Sequence, residues 1–84
     1  MDTLKEFQII PGVGERMAQT LVDLGYREVR ELKNEDPQLM YQNLVAVRGH
    51  PVDRCVLYVF RCAVYYAGTS VPEPDLLKWW NWKD

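Results

Sequence analysis

The chain has 84 residues, of which 48% are hydrophobic, and this size fits one small domain rather than two. The hydrophobic content excludes an intrinsically disordered chain. Ten basic residues oppose 12 acidic ones, so the formal net charge is −2, and any nucleic-acid contact has to come from a local patch and backbone N–H groups rather than from bulk charge.

The first part of the chain reads as two helices around a tight turn. The first helix is predicted over residues 3–9, capped by Thr3 or Asp2, and Pro11 stops it. Gly12 and Gly14 then make a turn in which both glycines are expected to take a positive φ. A second helix starts at residue 15 and ends before a glycine in the C′ position, and the following residues form its apolar face: Met17, Ala18, Leu21, Val22 and Leu24, with Gly25 as the C′ residue.

The second part repeats this order of elements. A short helical turn is predicted within residues 26–33, and Asn34 or Asp36 caps the next helix, with Pro37 in its first position. The apolar stripe of that helix is predicted to consist of Leu39, Met40, Leu44, Val45 and Val47. After a break at residues 48–51, a helix over residues 52–67 is apolar nearly all round, which predicts a central position. Gly68 ends it.

The pattern predicts an all-α domain of five helices in two hairpin units, with no sheet. The predicted organisation is a single domain over residues 1–84: a first hairpin unit (1–25), a connector (26–35), a degenerate second hairpin unit (36–68) and a Trp-rich tail (69–84). We expect Trp79, Trp80 and Trp82 to fold back and seal the small core. The alternative is an exposed aromatic patch that docks a protein partner or stacks on unpaired bases.

The two cysteines, Cys55 and Cys62, lie seven residues apart, about 10 Å along a helix axis. A disulfide needs Cα atoms within about 7 Å, so both are predicted to be free thiols. Both are expected to be small buried hydrophobic residues in a reducing compartment. With His50 as the single histidine, no metal site is expected.

The sequence also predicts a cytoplasmic location without a membrane partner. Residues 1–5 have no apolar region of the kind that a signal peptide needs. The most apolar stretch, residues 55–67, is too short to span a bilayer and is interrupted by Arg61.

Residues 4–21 resemble the helix-hairpin-helix motif of DNA repair and replication proteins. The resemblance rests on the Ile10-Pro11-Gly12-Val13-Gly14 run, on Leu4 and Phe7 before it, and on Ala18, four residues beyond the second glycine. The whole chain is similar to small bacterial helix-hairpin-helix proteins described as pathogenicity-locus or mitomycin-resistance-related. Residues 51–67 and 77–84 carry that similarity.

The resemblance implies that the turn Gly12, Val13 and Gly14 binds a phosphate of the nucleic-acid backbone. The first N–H groups of a helix lack intrahelical partners, and the helix dipole adds positive charge there. In the superfamily a basic residue two positions beyond the second glycine reaches the same phosphate, and this chain has Arg16 there. By the same resemblance the carbonyls of Gln8, Ile10 and Val13 can hold a monovalent cation. Such contacts position a duplex without reading its sequence.

Two departures from the superfamily pattern concern charge and backbone donors. Glu15 places a carboxylate where related motifs have proline or a neutral residue. The second turn has Gly49 but no second glycine, and Pro51 has no N–H to donate. The basic side chains near that turn are expected to compensate: Arg48, His50 and Arg54.

The expected function is therefore sequence-independent DNA binding, in the manner of a DNA-repair accessory protein. The alternative is a protein–protein interaction module whose hairpins bind no nucleic acid. Neither an enzyme nor a cofactor is expected, because 84 residues leave no cleft of the usual size and no catalytic group stands at motif spacing.

Overall fold

The computed structural model describes residues 3–84 and contains no strand within them. The elements in chain order are α1 (Thr3–Gln8), α2 (Glu15–Asp23), a 3-10 helix (Val29–Leu32), α3 (Pro37–Arg48), α4 (Cys55–Gly68) and two further 3-10 helices (Pro74–Leu77 and Trp79–Trp82). The all-α class is confirmed. Residues 3–84 form four α-helices and three 3-10 helices, so the expected count of five helices is not matched.

The short helical turn predicted within residues 26–33 is the 3-10 helix Val29–Leu32. Its start is closed by a capping box: the Glu31 carboxylate accepts from the backbone N–H of Glu28 at 2.7 Å, and the Glu28 side chain accepts from the backbone N–H of Glu31. The Glu31 carboxylate also accepts from the backbone N–H of Arg27 at 2.6 Å. Lys33 already has an extended backbone. Four residues between these two limits leave no room for a second turn of α-helix, so the segment stays a connector.

Local chemistry sets the ends of α1 and α2. The helix α1 begins at Thr3, and Asp2, the other predicted cap, lies outside the described residues. The C-terminal end of α2 is a Schellman motif: the N–H of Gly25 bonds to the carbonyl of Val22 at 2.9 Å, and that of Tyr26 to the carbonyl of Leu21 at 3.1 Å. The predicted C′ role of Gly25 is thereby confirmed.

The helix α3 starts and stops as predicted, but its apolar stripe is narrower. The Asp36 carboxylate accepts from the N–H of Gln38 at 2.9 Å, and Pro37 occupies the first turn. Only Met40 and Leu44 are fully buried on this helix. Two predicted members of the stripe, Leu39 and Val47, are more than half exposed. Leu39 precedes Met40 by one residue and is therefore rotated about 100° away from the buried face.

The helix α4 lies at the centre of the domain, as predicted, and contacts α3 and all three 3-10 helices. It begins at Cys55, three residues later than expected, because the Asp53 carboxylate accepts from the N–H of Cys55 at 2.8 Å and so marks the helix start. Both cysteines are free thiols, which confirms that prediction. The expectation that both are buried is wrong: Cys62 is buried, but Cys55, in the first turn, is exposed.

One core joins the four helices. It consists of Phe7, Ile10, Val13, Ala18, Leu21, Leu32, Met40, Leu44, Val59, Phe60 and Ala63. Between residues 3 and 84 no helix is both long and apolar enough to cross a membrane.

The Trp-rich tail, residues 69–84, runs along α4. Trp79 is partly buried and packs against the core, whereas Trp80 is 49% exposed and meets the Trp79 ring edge to face at 5.8 Å. The Trp82 indole N–H donates to the carbonyl of Leu76 at 2.8 Å, and its ring lies 5.5 Å from that of Tyr65. The three tryptophans therefore have different surroundings.

Candidate nucleic-acid interface

The turn between α1 and α2, Pro11–Gly14, is held in place by apolar side chains that pack into the core; we call it the GVG turn. Ile10 is 1% exposed and Val13 is 6% exposed, so both side chains belong to the core. The N–H of Val13 donates to the carbonyl of Ile10 at 3.0 Å, which closes the turn. Because the apolar side chains point inward, the backbone of Gly12 and Gly14 is left at the surface.

Gly12 has the predicted positive φ, at 85°. A methyl group added to its Cα would lie 3.1 Å from Cδ1 of Trp79, closer than side chains ordinarily approach. The indole of Trp79 therefore occupies the side of Gly12 where other residues carry Cβ. Gly12 therefore has a role in the packing of the Trp-rich tail that does not depend on ligand binding.

Gly14 differs from Gly12 in both respects, and its predicted positive φ is wrong. It is the N-cap of α2 with φ −92° and ψ −167°, an extended conformation that any residue adopts. The extended backbone follows from its place, since an N-cap residue precedes the first helical turn. Nothing lies within 4 Å of a Cβ built at Gly14, so the space above it is open.

The start of α2 is not capped by a side chain. Glu15 and Arg16, its first two residues, are exposed, and Arg16 forms no ion pair within residues 3–84. The N–H groups of this turn therefore face solvent beside one unpaired guanidinium and one carboxylate. This arrangement can accept an anion, with Glu15 opposing it.

Arg48 is held by α2 instead of being free beside the second turn. Its Nη2 lies 3.1 Å from a carboxylate oxygen of Asp23 and 3.5 Å from the hydroxyl of Thr20, which itself donates to the carbonyl of Arg16 at 3.1 Å. A hydrogen bond from Gln19 and the Arg48 guanidinium lower the pKa of Asp23 from its ordinary 3.8. Arg48 thus links the end of α3 to the last turn of α2.

The other predicted residues of the second turn have local surroundings of their own. Gly49 ends α3 in the left-handed conformation, with φ 73°. His50 is exposed, and its Nδ1 lies 2.8 Å from the carbonyl of Pro51. Arg48 contacts Thr20 and Asp23, which lie about 6 and 10 Å beyond Arg16 along the axis of α2. The two turns do not present one continuous set of unpaired basic side chains.

Arg54 also has an intramolecular partner. Its Nε and Nη2 both donate to one carboxylate oxygen of Asp84, each at 2.6 Å. The second oxygen of Asp84 accepts from Nη2 of Arg61 at 2.8 Å. The sequence reasoning did not assign a role to Arg61, although one signal was available: it is the only charged residue in the apolar stretch 55–67.

The three carbonyls expected to hold a monovalent cation belong to Gln8, the last residue of α1, to Ile10, just before the GVG turn, and to Val13 within it. The carbonyl of Ile10 accepts the N–H of Val13 and keeps one lone pair. Among residues 3–84, no three His, Cys, Asp or Glu side chains gather into a metal site. A groove of about 610 Å³ lies elsewhere, between α1, the 3-10 helix Val29–Leu32 and residues 66–72, and none of the predicted site residues lines it.

The connection between α1 and α2 combines a glycine turn, whose apolar side chains lie in the core, with a helix start that no side chain of residues 3–84 caps. In this small all-α domain, that arrangement is a candidate anion-binding site. The chain belongs to the Cdd1 family, described as pathogenicity locus, whose family model matches residues 1–84. No curated protein and no solved structure matches the chain.

Proposed function

We propose that this chain is a non-enzymatic, helix-hairpin-helix DNA-binding module that holds a backbone phosphate at the GVG turn. The observation that supports it is the start of α2: among residues 3–84, nothing lies over Gly14, no side chain caps the helix, and the exposed Arg16 forms no ion pair. Backbone N–H groups at such a position favour an oxyanion. A contact of this kind reads no bases, so binding is independent of sequence.

The number of free cations sets the expected salt dependence. Arg48 and Arg54 are engaged by Asp23 and Asp84, which leaves Arg16 as the arginine of the predicted set that has no ion pair within residues 3–84. A slope near −3 would need three neutralised phosphates, since each contributes about −0.9 on duplex DNA. We therefore expect a slope closer to −1 for the protein in this conformation.

A pair of variants tests the turn itself. Gly14→Asp fits the extended backbone and places a carboxylate over the N–H groups that the phosphate would use. DNA binding should weaken at least about tenfold, whereas the helix itself is better capped. Gln42→Glu makes the same charge change at an exposed position of α3 and is the control. Titrations of labelled 20-mer single- and double-stranded DNA at two salt concentrations measure both.

Arg16 is tested in the same titration against Arg27, another exposed arginine. Arg16→Gln should weaken binding to all sequences alike and reduce the salt slope by about one unit. Arg27→Gln should leave the slope unchanged. Equal behaviour of Gly14→Asp and Gln42→Glu, with the fold intact by circular dichroism, would reject DNA binding at this turn.

A protein–protein interaction module is the second candidate, and Trp80 favours it. This large apolar side chain is 49% exposed while its neighbour Trp79 is packed. Aromatic side chains at a surface are typical anchors of protein interfaces. If DNA binding fails for the unaltered protein, loss of partner binding in Trp80→Ala would support this function.

A further inference from the structure

Two arginines, Arg54 at the N-cap of α4 and Arg61 within α4, converge on a single carboxylate of the Trp-rich tail. Arg54 and Arg61 are seven residues apart, two helical turns, so they lie on one face. One oxygen of Asp84 accepts from Arg54 and the other from Arg61, at distances of 2.6 and 2.8 Å. The carboxylate therefore bridges two guanidinium groups.

Arg61 is also positioned by groups other than the carboxylate. The Nη1 of Arg61 donates to the carbonyl of Trp82 at 2.7 Å, and its guanidinium carbon lies 5.6 Å from the centre of the Tyr58 ring. A guanidinium over an aromatic face and bonded to a carbonyl is fixed in orientation before an anion arrives. The Arg61 side chain is 26% exposed, so the site is open to solvent on one side.

The local charges favour an anion. Arg54 and Arg61 carry two positive charges against the one side-chain carboxylate that bridges them, that of Asp84. Asp53 is turned to the start of α4, where its oxygen accepts the N–H of Cys55 at 2.8 Å. Asp84 is thus the carboxylate that neutralises the two guanidinium groups.

A phosphodiester matches what Asp84 supplies. It carries one negative charge and presents two non-bridging oxygens, as a carboxylate does, and arginine forks bind both groups. We propose that Arg54 and Arg61 form a second phosphate-binding site for the nucleic-acid backbone, and that Asp84 occupies it as an internal competitor. The proposal rests on the proposed function, to which it adds a second contact with the DNA backbone that Asp84 regulates.

The proposal implies two forms of the protein: a basal form, in which Asp84 contacts Arg54 and Arg61, and an open form, in which a backbone phosphate has replaced it. With Asp84 in place, the GVG turn is the available contact to DNA and binding is weak. When a backbone phosphate replaces Asp84, a second contact forms on α4 while Trp79 stays packed on the core. No covalent step is involved, because one anion exchanges for another.

The test compares two tail aspartates. Asp84→Asn keeps the shape and removes the charge that engages both arginines, while Asp75→Asn makes the same charge change at an exposed residue whose partner is Lys78, at 3.8 Å. Asp84→Asn should tighten binding of a labelled 20-mer DNA by about tenfold, the value of one charge-assisted contact, and steepen the salt slope by about one unit. Asp75→Asn should change affinity less than about twofold.

The gain must pass through Arg61. Adding Arg61→Gln to Asp84→Asn should return affinity and slope to those of the unaltered protein. Inorganic phosphate, titrated against the Asp84→Asn variant, distinguishes a free phosphate from the DNA backbone as ligand. One outcome would assign the site to the free ion and overturn the proposal. In that outcome, millimolar phosphate abolishes the whole affinity gain of Asp84→Asn, and the site binds DNA no more tightly than it binds phosphate.

Other outcomes are equally decisive. Equal gains in Asp84→Asn and Asp75→Asn would reduce the effect to bulk charge, and a gain that survives Arg61→Gln would exclude the pair of arginines. If Gly14→Asp has no effect, but Asp84→Asn tightens DNA binding and Arg61→Gln reverses that gain, the site at Arg54 and Arg61 is supported and the proposed role of the GVG turn is rejected. If Gly14→Asp abolishes binding and Asp84→Asn adds nothing, the reverse holds. Thermal melts of each variant establish that the fold is intact.

Discussion

Trp79 lies against Gly12, so that a methyl group on the glycine would be 3.1 Å from Cδ1 of the indole. These residues come from the first turn of the domain and from its Trp-rich tail. The indole can pack there because Gly12 has no side chain. Gly14 has a different role, because nothing occupies the space above it.

Substitution of Gly12 by alanine should therefore be more damaging than the backbone alone requires. A positive φ costs a residue with Cβ about 1–2 kcal/mol, and at Gly12 the new methyl would also displace Trp79. Gly25 has φ 98° with nothing within 4 Å, so Gly25→Ala carries the backbone cost only. Urea denaturation of both variants should show Gly12→Ala as the less stable. Equal losses would mean that Trp79 moves away from Gly12 without cost.

Trp79 and Trp80 should contribute unequally to stability. Trp79 packs on the core, whereas Trp80 is 49% exposed. Full burial of a Trp is worth about 3–5 kcal/mol on truncation to alanine. Because Trp79 is only partly buried, we expect Trp79→Ala to lose about 2 kcal/mol and Trp80→Ala less than about 1 kcal/mol. Thermal melts that rank the two variants in the opposite order would show that the tail does not pack through Trp79.

Cys55 should be the reactive thiol, and Cys62 the protected one. Cys55 is exposed, but its hydrogen bond with Asp53 raises its pKa above the ordinary 9.0. Burial raises the pKa of Cys62 as well. Since the thiolate is the nucleophile, alkylation by iodoacetamide near neutral pH should be slow and confined to Cys55.

The role of Asp53 is measured by the same reaction. Asp53→Asn should lower the pKa of Cys55 and speed its alkylation, while Asp75→Asn, a carboxylate of the tail, should leave the rate unchanged. Mass spectrometry after timed quenching at several pH values gives both rates. Modification of Cys62 as fast as Cys55 in the folded protein would contradict the burial described here.

The contact of Asp84 with its two arginines should depend on acid. Hydrogen bonds from Arg61 and then from Arg54 hold the pKa of Asp84 below its ordinary 3.8. A carboxyl whose pKa is depressed by folding stabilises the fold above its unfolded pKa, and this contribution is lost as the pH falls through the folded value. The stability difference between the unaltered protein and Asp84→Asn should thus be constant above about pH 5 and disappear below the pKa of Asp84. A difference that persists in strong acid would mean that the charge of Asp84 does not stabilise the fold.

Local chemistry made the helix ends predictable. Asp36, Pro37 and Gly25 act through atoms within a few residues of themselves, and their roles follow from side-chain length and backbone geometry. The same holds for the free thiols, because helical spacing alone separates Cys55 from Cys62. The positive φ expected at Gly14 was wrong because the residue type permits that conformation without requiring it.

Contacts between distant segments were not predictable. Arg48 and Asp23 meet because the fold brings the end of α3 within side-chain reach of the end of α2, and no periodicity in the sequence encodes that approach. The pairing of Arg54 with Asp84 depends in the same way on where the tail runs. The candidate site could be located at the GVG turn from its residues, but which of its basic groups are free could be known only from the fold.

The position of Trp79 on Gly12 also has a consequence for how the chain is made. Ribosomes synthesise the tail after all four helices, so a nascent chain carrying α1–α4 lacks the indole that covers Gly12 and the carboxylate that bridges Arg54 and Arg61. Closing this contact joins segments far apart in sequence, which is slow compared with the formation of single helices. We therefore expect refolding to end with a docking step that tryptophan fluorescence reports and that follows the appearance of helical circular dichroism.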